Sequence, residues 1–83
     1  MKILCDIYKG NKDEEMFLYV KKEDGLKKVP ELLLQKLGST RQVMSIVLTP
    51  GKKLARANSE KVIEQLEKEG YYLQMPPSLY VVK

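Results

Sequence analysis

At 83 residues the chain is long enough for one small domain, residues 1–83, and too short for two. Its 43% hydrophobic and 31% charged residues are the balance of a folded globular domain and exclude intrinsic disorder. The formal net charge of +4 permits a nucleic-acid or acidic partner without requiring one, because the lysines are dispersed among acids. A lone cysteine, Cys5, excludes an internal disulfide framework. The start MKILCDIYKG makes a poor signal peptide, since Asp6 breaks the apolar run and no small-residue cleavage site follows. No stretch approaches the ~20 apolar residues of a membrane span, so a cytoplasmic protein without membrane contact is expected.

Lys2 to Lys9 reads as a first strand, with Ile3, Cys5 and Ile7 on one face and Leu4, Asp6 and Tyr8 on the other. GNKD at 10–13 is turn chemistry. Glu15 to Lys21 is a second strand, Met16, Leu18 and Val20 opposing Phe17 and Tyr19, and the short connection predicts an antiparallel hairpin. Pro30 and Glu31 suit a first helical turn. Leu33, Leu34 and Leu37 make that helix's apolar stripe and Gly38 its stop. At two turns the helix must be held by packing. Arg41 to Thr49 contains a third strand, whose strict alternation sets Val43, Ser45 and Val47 against Met44, Ile46 and Leu48. Pro50-Gly51 is a turn, and Leu54 to Ala57 is a candidate short strand.

The stretch from Asn58 to Pro77 reads as helix, stop, strand and exit. Asn58 or Ser59 is the cap, and Val62, Ile63 and Leu66 form the apolar stripe. Gly70 is the terminator. Tyr71, Tyr72, Leu73 and Met75 have strand composition, which Pro76 and Pro77 end. Ser78 to Lys83 is a short strand or a docked tail. The order is β-β-α-β-α-β, class α+β. Strands with two apolar faces need cover on both sides. The expected architecture is therefore a three-layer α/β/α sandwich around a mostly antiparallel sheet. The competing arrangement puts both helices on one face and leaves Phe17 and Tyr19, or Met44, Ile46 and Leu48, exposed.

No histidine is present, which removes Ser-His and Cys-His nucleophile pairs and the common zinc and iron ligand sets. Gly51-Lys52 fails as a phosphate loop, since Ile46 stands for the first glycine and Lys53 for the Ser/Thr. No metal or cofactor is expected. Cys5, between Ile3 and Ile7, reads as a small buried hydrophobe. Asp6 is a carboxylate in an apolar run, where burial without a partner is costly. It is expected to face solvent or pair with a nearby Lys or Arg, a site role being the alternative. Glu14-Glu15 and Glu23-Asp24 read as solvated loop charges rather than a general acid and base. Lys27, Lys28, Arg41, Lys52, Lys53 and Arg56 form one basic patch if their loops share one end of the sheet. Exposed Tyr8, Tyr71 or Tyr80 would then offer stacking surfaces for single-stranded RNA.

Five segments, CDIYK (5–9), MFLYV (16–20), VPELL (29–33), KLARAN (53–58) and GYYLQMPP (70–77), together resemble the YcgL family of small gammaproteobacterial proteins. They occur in family order across nearly the whole chain. The resemblance implies a compact α/β/α sandwich and brings no activity, so no catalytic residues carry over. Packing readily explains Tyr71, Leu73 and Met75, and less readily Gln74. The proline pair leaving a sheet edge would make an extended ledge beside Tyr72, so Tyr72, Gln74, Pro76 and Pro77 form a candidate partner-binding set. A non-enzymatic protein-binding or adaptor module is the expectation. RNA binding through the basic loops is the alternative, and an enzyme using carboxylates and lysines ranks last.

Overall fold

A computed structural model describes residues 2–12, 16–51 and 58–74. Its elements run β1 (Ile3–Gly10), β2 (Phe17–Lys21), α1 (Glu31–Leu37), β3 (Thr40–Leu48), α2 (Ser59–Lys68) and β4 (Tyr71–Gln74). The strands form one sheet in the order β3-β1-β2-β4, and all three pairings are antiparallel. The β1–β2 hairpin sets Cys5 against Lys21 and Lys9 against Phe17. β3 pairs along the full length of β1, from Ile3 opposite Leu48 to Gly10 opposite Thr40. The strand considered at Leu54–Ala57 and the segment Ser78–Lys83 lie outside the described residues.

Apolar residues on alternate positions of the same strands build two separate clusters. The first holds Ile3, Cys5 and Ile7 of β1, Tyr19 of β2 and Leu48 of β3 with Val62, Ile63 and Leu66 of α2. The second holds Leu18 and Val20 of β2 with Val29 and Leu37, and Tyr8, Leu33, Leu34, Tyr71 and Leu73 pack against it. Each helix thus serves a different cluster, as the two apolar faces of β1 and β2 require.

The helices are fixed differently. At the start of α2 the Asn58 side chain accepts hydrogen bonds from the backbone N–H groups of Glu60 (2.9 Å) and Lys61 (3.1 Å), satisfying two otherwise orphan donors. The buried Ser59 donates its hydroxyl to the Pro50 carbonyl at 3.0 Å, tying α2 to the chain leaving β3. At the far end Lys21 of β2 meets Glu67 at 3.5 Å. α1 has no side-chain cap. It ends at Gly38, whose φ of 83° suits glycine alone. Its last residue presses on the sheet: a Cβ on Gly10 would run into the Leu37 carbonyl. Glycine at position 10 is what lets α1 approach β1.

β3 departs from strict alternation. Ile7 is opposite Met44, but Tyr8 is opposite Gln42, so Val43 is an extra residue at a bulge. Ser45 and Val47 therefore share a face with Asp6 and Leu4. Val43, expected with them, packs instead against the α2-side cluster.

Candidate functional site

The second face of the sheet is closed over β2 and left open over part of β1 and β3. Leu4 is 57% exposed and Val47, its partner across the strands, 40% exposed. Next to them Asp6 is only 5% exposed. A carboxylate in that position needs hydrogen bonds to offset lost hydration. Ser45, directly opposite on β3, supplies one: its Oγ donates to Asp6 Oδ1 at 2.6 Å. Gln42 Nε2 donates to Ser45 Oγ at 2.8 Å and, at a longer 3.4 Å, to the same carboxylate oxygen. Lys22, just past β2, brings its Nζ to 3.8 Å from that oxygen. Of the two outcomes expected from the sequence, facing solvent or pairing with a nearby Lys or Arg, the second is the one found. Ser45 and Gln42 were not expected, because the register that brings them to Asp6 joins residues far apart in the chain.

The arrangement is a buried carboxylate, contacted by three side chains through Oδ1, set among exposed apolar side chains. A serine nucleophile is ordinarily activated by a histidine base that a carboxylate in turn orients. The chain has no histidine. Cys5 is wholly buried on the opposite face, and burial pushes its thiol up to about 12, far from a reactive thiolate. Burial also raises Tyr19. Among the described residues no three His, Cys, Asp or Glu side chains gather as a metal site. No helix of the described residues is long and apolar enough to cross a membrane.

Beside Leu4 lies a cleft of about 490 Å³ lined by Lys2, Ile3, Leu4, Lys21, Lys22 and two glutamates. Lys2 takes part in no ion pair among the described residues, whereas Lys21 and Lys22 are held by Glu67 and Asp6.

The basic residues singled out in the sequence do not gather at one end. Arg41 stands opposite Lys9, near the end of β1. Lys27 and Lys28 lie in the loop after β2, at the other end of the sheet, and Lys28 pairs with Asp24 at 3.5 Å. Its side chain rests so close to Gly70 that a Cβ there would collide with it. Lys52, Lys53 and Arg56 lie outside the described residues. Tyr8 and Tyr71 are half-buried against the second cluster, and Tyr80 is outside the described set.

Of the residues proposed for a partner ledge, Gln74 and Tyr72 have internal tasks. Gln74 is buried, and its Oε1 accepts the hydroxyl of buried Tyr19 at 3.0 Å. Tyr72 packs edge-on to Tyr19 with ring centroids 5.7 Å apart. That packing accounts for Gln74, which the sequence left without a reason. Pro76 and Pro77 lie outside the described residues.

The YcgL domain model matches residues 5–77. A YcgL domain-containing protein of Cellvibrio japonicus is 57% identical over 77 residues, covering 93% of this chain and 79% of the relative. Relatives of the same description from Pseudomonas putida KT2440 and Azotobacter vinelandii are 53% and 51% identical over the same shares. The chain belongs to the YcgL domain family.

Proposed function

We propose that the protein is a non-enzymatic, cytoplasmic protein-binding module, arranged as an α/β/α sandwich in which one helical layer stops short. The observation that carries this reading is the open half of the second face. There Leu4 and Val47 are exposed beside a buried Asp6 whose Oδ1 meets Ser45, Gln42 and Lys22. Exposed apolar side chains grouped around satisfied polar groups are the composition of an interface centre, where water is excluded without leaving charges unpaired. The test is a Leu4→Glu, Val47→Glu double variant used beside the parent protein in crosslinking and affinity purification. The reading expects an unchanged circular dichroism spectrum and loss of one specific partner. Retention of every partner by the folded variant overturns it.

Nucleic-acid binding is the second reading, supported by the lysine-lined cleft beside Leu4 and by Lys27, which makes no ion pair among the described residues. Labelled single-stranded RNA titrated across a salt series tests it. Affinity that falls linearly on a log–log salt plot, with a slope reduced by changing Lys52, Lys53 and Arg56 to alanine, supports it. An unchanged slope removes those residues from the site.

A further inference from the structure

We infer that the partner, if the protein-binding reading holds, presents an extended acidic segment that adds to the sheet as a strand along the outer edge of β3. Among the described residues β3 is a terminal strand, pairing with β1 alone. An edge strand offers a row of backbone donors and acceptors to another chain, and proteins commonly blunt such edges with charge, proline or a bulge. β3 carries a bulge at Val43, so its first half is blunted. Its second half, Met44–Leu48 (MSIVL), has no charge, proline or glycine. The other terminal strand, β4, is shorter and is followed in sequence by Pro76-Pro77. The two edges are thus unequal, and that of β3, unpaired among the described residues, borders the exposed Leu4 and Val47.

Charge selects the occupant. β3 contains no acid, and the one acid on β1, Asp6, is buried and bonded to its neighbours. Cations bracket the edge instead. Arg41 stands at its start, and Lys2, which makes no ion pair among the described residues, precedes Ile3 at the Ile3–Leu48 end, while the two glutamates of the cleft belong with Lys21 and Lys22 on the far side of β1. A second copy would bring these cations against another molecule of net charge +4. A strand with carboxylates at its ends and β-branched residues between them meets cations at both ends and apolar side chains in the middle. Main-chain bonds then supply affinity, and alternate side chains supply choice.

The experiment uses the whole protein and a short synthetic peptide of valine and threonine with glutamates at both ends, a charge-reversed peptide with lysine in place of glutamate, and two N-methylated forms of the acidic peptide. Each N-methylated form lacks one alternating set of backbone donors. Binding is read by titration, and its location by amide hydrogen exchange. The inference expects saturable binding of the acidic peptide and slower exchange of alternate β3 amides. It also expects loss of binding with only one of the N-methylated forms. Arg41→Glu with Lys2→Glu should weaken the acidic peptide at least about tenfold. Equal binding of the lysine peptide, or failure of the acidic peptide to slow any β3 amide, overturns the inference. So does slow exchange of those amides in peptide-free protein, which would mean that the edge is already occupied by the chain itself or by a second copy. Binding that perturbs Leu4 and Val47 without slowing β3 amides overturns strand addition and leaves the protein-binding face standing. Conversely, β3 protection by the peptide together with full partner retention by the Leu4→Glu, Val47→Glu variant overturns the face and leaves the edge.

Discussion

The two faces of this sheet are made from the same strands and closed to different extents. Under α2 the cover is tight around Cys5, Leu48, Val62 and Leu66, each at most 1% exposed, and only Met44, opposite Ile7 on the outer strand, stays 53% exposed among the described large apolar residues of that face. Under α1 the cover is equally tight at Leu18, Val20 and Leu37, yet Leu4 and Val47 remain in contact with water. The difference lies in the helices. α2 has ten residues, about 15 Å of helix. It is fastened at both ends, by Asn58 and Ser59 near Pro50 and by Glu67 on Lys21. α1 has seven residues, about 10 Å, and no side-chain cap, and its ties among the described residues are at its C-terminal end, where the Lys12 N–H donates to the Leu37 carbonyl at 3.1 Å and Lys12 Nζ to the Gln35 carbonyl at 3.3 Å beside the close approach at Gly10. Helix length and anchoring, rather than the apolarity of the strands, decide how much of a sheet is sealed.

The largest test of that contrast is Leu66→Ala against Leu37→Ala. Both side chains are fully buried, so each removal costs about 2–5 kcal/mol. Because α1 is the shorter helix and has no side-chain cap, Leu37→Ala should fall at the lower end and Leu66→Ala at the upper. Urea unfolding of the two variants measures this, and equal losses would remove the distinction between the faces.

Alkaline pH tests the α2 side alone. Burial raises the Cys5 thiol to about 12 in the folded protein, against an ordinary 9.0. A raised acid of this kind binds its proton more tightly when folded. Its contribution is therefore whole below about pH 9 and is lost as pH climbs toward about 12, at up to ~1.4 kcal/mol per pH unit. Tyr19 is shifted in the same direction by burial in the same cluster and adds to the fall. Unfolding free energies measured at about pH 8 and about pH 10 should differ more for the parent than for Cys5→Ala. The same slope in both would clear the thiol of any part in it.

Smaller effects sharpen the picture. Asn58→Ala, which strips two hydrogen bonds from the start of α2, should cost about 1 kcal/mol in the same urea experiment. Leu32→Ser, on the solvent side of α1 at 75% exposure, should change stability by less than about 0.5 kcal/mol. A larger loss there would show that the face over α1 is covered by something more.

Much of this was written in local residue order. The two-sided apolar strands, the Asn58 cap, the Gly38 and Gly70 stops and the helical stripe of Val62, Ile63 and Leu66 all follow from neighbours a few residues apart. The candidate site was legible only in part. Asp6 stood out because a carboxylate interrupts an apolar strand. Its partners Ser45 and Gln42 depend on the β1–β3 register, and the bulge at Val43 moves one residue of β3 to the other face without any glycine or proline to announce it. Gln74 was unexplained for the same reason, since its partner Tyr19 comes from a strand much earlier in the chain. Contacts between distant strands are set by pairing geometry, which periodicity along one strand does not encode.

Cys5 gives the molecule a clock of its own. It is the chain's sole cysteine and has no exposed surface. A water-soluble thiol reagent can therefore reach it only when β1 parts from its neighbours or the cluster under α2 opens. The rate of colour change with such a reagent, followed under native conditions, counts those openings directly and needs no label. Ligands that clamp β3 against β1 would slow the clock, and ligands that settle elsewhere would leave its rate alone.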